Sequence, residues 1–414
     1  MIEWSELPEE LIDLIAKHLR SEIDVIRFRS VCSSWRSSSS FKCPTPTDLS
    51  QFPILPNDVI STAAWGFYLS KRTIFRIGLT EQPHPQAFPS DGWLIKIDQD
   101  APLRCHLLNP LSRFVFRPLP RDFPKTIDLM RYRVSELGQE YTLQYRNYRP
   151  FASSIGQAGS LYMEKVALRP TPSIEDHLLL TIHVSGKLAM FRFGEKKWTI
   201  IDDITSPYDD VILFQGKFYA VDYTGRTVIV DVDSLPSPAL NLAANPVFGG
   251  DRKVLVESCN DLLLVDTFLS VGHDDESDVD GSIEFYEEVD CCLCERTVRF
   301  KVYKLDQREQ NWVEVRNLGD RLLFLGDNST FSASASDFTV CKDKGNCIIF
   351  SNHYFYSSRE DDGAIRGQGI GVFDLESGSI ESLTNYPGLS KLFWPPPEWI
   401  TLTKLEDGMK LLDI

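Results

Sequence analysis

The sequence predicts two unequal parts: a small α-helical segment over residues 1–40, then a large all-β domain over residues 61–414, read as a β-propeller of six or seven drifted blades. Three observations carry this. Helix-period apolar spacing is confined to the N-terminal segment. From about residue 65 it gives way to short apolar or alternating runs bounded by Gly, Asp, Asn or Ser. And a unit recurs, LLTIHVSGKLAMFRFGEKKWTIID beside VILFQGKFYAVDYTGRTVIVDVDS, each strand, Gly-Lys turn, strand, Gly turn, strand ending in Asp. Such repetition marks propeller blades, and at roughly 45–50 residues per blade the β domain holds six or seven. A pair of large β-sandwiches is the alternative architecture.

In chain order, Pro8 suits the first position of a helix. Glu9 and Glu10 follow where the helix dipole favours negative charge. Leu11, Ile12, Leu14, Ile15 and Leu19 recur at helical spacing, and His18 and Arg20 supply positive charge at the far end. Ser21 and Asp24 begin a second helix with a capping-box-like pair; Ile23 and Ile26, with Val25 and Phe28, are its apolar positions. Val31, Cys32 and Trp35 form a last apolar cluster before the serine run Ser37–Ser40. Two short helices bury too little apolar surface to stand alone, so they need the rest of the chain or another protein.

Residues 41–60 read as a linker broken by Pro44, Pro46, Pro53 and Pro56. The expected strands are Trp93–Ile97, Phe114–Phe116, Leu178–His183, Lys187–Phe193, Val211–Phe214, Lys217–Val221, Thr227–Val232, Val254–Glu257, Leu262–Val265, Val298–Tyr303, Arg321–Leu325, Cys347–Phe350 and Gly371–Phe373. Trp399–Leu402 is read as a strand closing the ring against an early one, which would remove exposed sheet edges.

Leu7-Pro8-x-x-Leu11 followed by Val31-Cys32-x-x-Trp35-Arg36 resembles the F-box motif over roughly residues 3–40. Where that family often has Leu-Pro between its first two helices, this chain has Leu19-Arg20-Ser21. The resemblance implies docking onto a Skp-family adaptor, and through it onto the cullin and RING subunits of an SCF-type ubiquitin ligase. It assigns Leu7, Pro8, Leu11, Ile15, Val31, Cys32 and Trp35 to making or supporting the adaptor contact. The bland reading makes them the core of a helical hairpin packed on the next domain. Trp312-Val313-Glu314-Val315, Leu318-Gly319-Asp320-Arg321 and Pro395-Pro396-Pro397-x-Trp399 are similar to a plant F-box-associated family with a kelch-like β domain. That layout implies plant origin and a non-catalytic receptor for a protein target, in the nucleus or cytoplasm. It assigns no ligand site. The alternative is a propeller enzyme or ligand-binding protein preceded by a helical hairpin.

Composition agrees with a globular chain: 43% hydrophobic and 25% charged residues. A net charge of −16 argues against general nucleic-acid binding. No run approaches the roughly 20 apolar residues that cross a bilayer, and acidic residues precede the first apolar series, unlike a secretory signal. Nine cysteines without framework spacing read as free thiols.

Other constellations are weaker. The acidic run 274–288 nearly has EF-hand spacing, but its first ligand would be Glu276 instead of Asp and its flanks read as strands, so a solvated insertion explains it with less. Cys291-Cys292-x-Cys294 lacks a second ligand pair for zinc. Neither a metal nor a cofactor is expected. Gly367-x-Gly369-x-Gly371 precedes a strand instead of following one, so it is not a dinucleotide loop. Catalytic motifs are not evident. The basic–aromatic stretch Arg131, Tyr132, Arg133, Tyr145, Arg146, Tyr148 and Arg149 is read as part of a target-binding surface on an inter-blade hairpin, since Arg and Tyr favour interfaces.

Overall fold

The structure, a computed structural model, describes residues 7–19, 22–38, 52–53, 66–79, 92–101, 104–112, 127, 129, 131–145, 163–171, 173–183, 185–195, 197–201, 206–234, 238–273, 293–338, 344–351, 369–393, 395–397 and 400. Three helices open it: α1 (Glu9–Lys17), α2 (Glu22–Ser30) and α3 (Ser33–Ser38). Pro8 is the N-cap of α1 and not its first residue; its carbonyl accepts from the Leu11 and Ile12 amides at 3.0 and 3.1 Å. The third helix corrects the expectation of two. Its sequence, SSWRSS, has one apolar residue and therefore no period to read.

Four sheets follow among the described residues. The first joins β1 (Phe52–Pro53), β2 (Gly66–Leu79), β3 (Trp93–Ala101), β4 (Arg104–Leu108), β5 (Tyr132–Tyr145), β6 (Met163–Arg169), β7 (Leu178–Ile182), β8 (Leu188–Arg192) and β9 (Lys197–Ile201). Its order is β4-β3-β2-β5-β6-β7-β8-β9, with β1, inside the expected linker, paired to β2. The second is the meander β10 (Tyr208–Phe214), β11 (Lys217–Asp222), β12 (Thr227–Asp231) and β13 (Ala239–Ala244). The third repeats it with β14 (Arg252–Ser258), β15 (Asp261–His273), β16 (Leu293–Asp306) and β17 (Asn311–Val315). The fourth orders β18 (Arg321–Leu325), β19 (Thr330–Ser334), β20 (Cys347–Ser351), β21 (Ile370–Asp374) and β22 (Ile380–Ser382) as β19-β18-β20-β21-β22, with β18 and β20 parallel.

The repeated unit read from the sequence is present as β7–β9 and β10–β12. Six or seven separate sheets are not what the described residues form, because β2 and β5, fourteen residues each, fuse two blade-sized units into one nine-stranded sheet. Phe114–Phe116, the acidic run 274–288, Cys291, Cys292 and Gly367 lie outside the described residues.

Apolar faces between successive sheets close a ring. Leu178, Leu180 and Leu188 meet Val211, Phe218 and Val228 between the first and second sheets. Phe214, Tyr219 and Val221 meet Leu255, Leu264 and Trp312 between the second and third. Val256, Val265 and Phe300 meet Leu323, Ile348 and Phe373 between the third and fourth. Phe324, Phe331 and Ile349 return to Ile74 and Leu94 of the first and to Leu111 in the turn after β4. Each such side chain stabilises the ring by roughly 1.5–3 kcal/mol when fully buried. Trp312 also bolts the third sheet to the second, its Nε1 donating to the Gly225 carbonyl at 3.2 Å and to Thr227 Oγ1 at 3.3 Å.

The closure between last and first sheets carries charge. Arg72 on β2 donates to Asp98 Oδ2 on β3 at 3.1 Å and to Glu140 Oε1 on β5 at 2.9 Å. Lys96 Nζ on β3 donates to Glu140 Oε2 at 3.1 Å and to Ser329 Oγ of the fourth sheet's β18–β19 turn at 3.3 Å. Two cations thus face two anions in the interior. The segment after β22 completes the seal. The Leu94 amide donates to the Leu392 carbonyl at 2.7 Å, and Ile400 packs with Ile77, Trp93 and Ile95. Ile400 is helical, its amide donating to the Pro397 carbonyl at 3.0 Å. The C-terminal segment therefore meets an early strand; of the expected strand Trp399–Leu402, only Ile400 is among the described residues.

Candidate functional site

At 100° per residue, α1 has a continuous apolar arc with Glu9, Glu10, Asp13 and Lys17 outside it. The structure divides that arc in two. Ile12 and Ala16 turn inward and, with Phe28 and Trp35, make the core of the helical unit. The Phe28 and Trp35 rings lie 4.5 Å apart, and Leu7, Leu19 and Cys32 pack around them. The other half faces outward: Leu11 is 46% exposed, Leu14 53% and Ile15 36%; Ile26 of α2, at 44%, and Val31, at 55%, are exposed as well.

The helical unit is seated on the β domain by α2. Arg27 Nη2 donates to the Val134 carbonyl of β5 at 2.6 Å, and Ile23 packs against the cluster that holds Trp93, Tyr132 and Ile400. Asp24 steadies Arg27 at 3.0 Å. The outward stripe is thus left uncovered by a unit that already has its intramolecular contact. Five large apolar side chains held in water on a fixed base are the mark of a docking face.

All seven residues that the motif assigns to the adaptor contact are among the described ones. Leu11, Ile15 and Val31 are on the exposed stripe; Pro8 is exposed; Leu7 and Cys32 are half-buried. Trp35 is 9% exposed, so it supports the face from within and offers little surface to a partner. Leu14 and Ile26 belong to the stripe with equal right. Their periodicity was visible, but periodicity names a face without saying what covers it.

The basic–aromatic stretch is divided. Arg131 and Arg133 are exposed near the start of β5, beside the carbonyl that holds Arg27. Tyr132 is 5% exposed and packs with Ile77, Trp93 and Val134, because side chains alternate along a strand. It is a core residue, which corrects its assignment to a surface. Tyr145 ends β5 opposite Phe67, while Arg146, Tyr148 and Arg149 lie outside the described residues.

Charged groups elsewhere in the ring are largely paired. Asp210 accepts from Lys165 Nζ at 2.6 Å and from the Val211 and Leu255 amides at 2.8 Å each. Lys253 and Asp266, both fully buried, meet at 2.5 Å. Burial pushes the Asp209 carboxyl up to about 6, against the opposing pull of the Lys253 amide and charge. Among the described residues no group of three or more His, Cys, Asp and Glu is placed to hold a metal ion.

Comparison with known proteins adds two findings. Residues 66–374 match the family described as the KIB1-4 beta-propeller. Over 97% of this chain and 96% of the relative, the sequence is 47% identical to the F-box protein SKIP23 of Arabidopsis thaliana. It is 37% identical to the F-box protein At2g17036 of the same plant, over 97% of this chain and 95% of that one.

Proposed function

The chain belongs to the F-box proteins that carry a KIB1-4 beta-propeller, and from that membership we propose that it is the substrate-recognition subunit of an SCF-type cullin–RING ubiquitin ligase. The helical unit binds a Skp-family adaptor, the ring binds a protein target, and the chain works in the nucleus or cytoplasm. The observation that carries this reading is the exposed stripe of Leu11, Leu14, Ile15, Ile26 and Val31 on helices otherwise anchored to the ring. Burying such side chains against a partner yields roughly 25 cal/mol per Å² before the costs of association are subtracted.

Catalysis of the transfer lies elsewhere in such an assembly. The chain's part is positional: a target held on the ring is kept near the conjugating enzyme, which raises the effective concentration of its lysines. A fixed contact through Arg27, Ile23 and Val134 serves that role, because a loose joint would spread the target over a larger volume.

The test is capture of a purified Skp-family adaptor by the full chain and by a Leu11→Asp/Ile15→Asp variant whose fold is checked by circular dichroism. The reading requires capture by the first and at least a tenfold loss in the second. Equal capture by both would remove the stripe from the interface, and capture by neither would return the helices to a packing role.

A further inference from the structure

On the ring, far along the sequence from the helices, one small region displays aromatic surface that the fold does not use. Phe248, in the connection from β13 to β14, is 76% exposed, and Tyr223, in the β11–β12 turn, is 52% exposed. Single exposed apolar residues are ordinary. This pair differs because its backbone is tied down on every side. The Val247 amide donates to the Thr224 carbonyl at 2.9 Å, and the Tyr223 amide to the Pro207 carbonyl at 3.0 Å. Beyond Phe248, the Gly250 amide donates to Asp266 Oδ2 at 3.2 Å and the Asp251 amide to the Thr267 carbonyl at 2.8 Å. Gly250 accepts no side chain, since a Cβ there would fall 2.0 Å from Asp266 Oδ1. An aromatic residue presented on a pinned backbone loses little freedom when it is covered, which is the property of an interface anchor.

The neighbouring surface is cationic. Gly249 lies against the Phe268 ring, and over that ring stand Arg299, 6.0 Å from its centroid, and Lys301, at 5.8 Å. Arg299 is exposed, and no carboxylate among the described residues pairs with it in a salt bridge. The region joins an apolar anchor to the exposed charge of Arg299, while Lys301 stands opposite Asp266 in the β15–β16 pair, in a chain whose net charge is −16.

We propose that Tyr223, Phe248, Phe268, Arg299 and Lys301 form the target-reading surface of the ring, and that its occupant is a peptide segment of the target pairing a large apolar side chain with a nearby carboxylate. The apolar side chain covers Phe248 and Tyr223, and the carboxylate pairs with Arg299 and Lys301. This rests on the receptor role given above and supplies the chemistry of what is received.

The experiment pans a random 12-residue peptide phage library on the full chain immobilised through its adaptor, with Phe248→Ser and Arg299→Glu variants in parallel. Adaptor capture is read separately in each, so failure of the receptor role shows as lost capture and failure of this surface does not. The expected result is enrichment of peptides with Asp or Glu near Leu, Ile, Phe or Trp, and at least tenfold lower recovery by either variant. A charge-reversed Arg299 should also recover peptides with Lys in place of the carboxylate. Basic or neutral consensus sequences, equal recovery by the variants, or no enrichment would overturn the proposal. Enrichment appearing only when residues 274–288 are replaced by a neutral linker would give the surface to the chain's own acidic run. A Phe248-dependent dimer in light scattering would give it to a second copy.

Discussion

Removing Glu140 should expose how much the interior charge cluster matters. Glu140 is the shared partner of Arg72, at 2.9 Å, and Lys96, at 3.1 Å, and all three side chains are 3% exposed or less. Glu140→Leu leaves two buried cations with only Asp98, paired to Arg72, and the charge of Asp327 acting on Lys96. A buried pair broken from one side costs about 3–5 kcal/mol, because the survivor keeps its desolvation penalty and loses its compensation. Lys96→Met leaves the opposite excess, with Glu140 still held by Arg72, and should cost somewhat less. The double variant returns to one cation and one anion, so the losses should not add; a coupling of at least about 2 kcal/mol is expected. The assay is urea unfolding followed by tryptophan fluorescence and far-UV circular dichroism, with coincident curves required before free energies are taken. The pH dependence has a definite sign. Burial opposes ionisation of Glu140, but Lys96 and Arg72 outweigh it and hold the carboxyl below its ordinary 4.5. The unfolded chain therefore binds the proton more readily, and this share of stability is present above about pH 4.5 and lost as pH falls through the folded value. Single losses under about 1 kcal/mol, or a double loss equal to the sum of the singles, would refute the account.

Three further outcomes follow from the structure. Trp35→Ala should cost about 3–5 kcal/mol within the helical unit, so adaptor capture is lost together with helical circular dichroism, whereas Leu14→Asp should weaken capture with that signal intact. Gly225→Ala places a Cβ 2.8 Å from the Val247 amide nitrogen at φ +85°, and should destabilise by more than about 1 kcal/mol while shifting the fluorescence of Trp312, whose indole bonds the Gly225 carbonyl. Asp209 is raised from 3.8 to about 6, so the folded state binds its proton more tightly and stability falls as pH rises between those values. Asp209→Asn should flatten that slope in urea midpoints taken at pH 4, 5, 6 and 7.

Legibility in the sequence followed burial chemistry. Strands with continuous apolar cores, such as Leu178–Ile182 and Cys347–Ser351, were plain from composition because almost every residue is buried. The two longest strands of the first sheet were not. β2 carries Arg72 and β5 carries Glu140 inward, and a charged residue on a core face erases the alternation that a reader looks for. Tyr132 reads as surface in the sequence because Arg131 and Arg133 flank it. The helical unit divides likewise. The spacing of Leu7, Leu11, Val31 and Trp35 marked the motif, but which of these face water depends on how three helices stack, and α3 has one apolar residue to announce it. The region around Phe248 left no trace, because its meaning lies in tertiary hydrogen bonds that its amides donate to Thr224, Asp266 and Thr267.

Ile23 and Ile400 share one cluster with Trp93 and Tyr132, so the seat of the helices is built from residues almost the whole chain apart. A ribosome makes the helices long before Ile400. Throughout elongation the Leu94 amide waits for Leu392 and Lys96 waits for Ser329, with the interior charges of the first sheet still open to water. A chain stopped before residue 390 would present the stripe of α1 without a finished seat beneath it. Synthesis thus carries its own completeness check: a truncated product can show the exposed apolar residues of α1, but it cannot hold them in fixed relation to the ring.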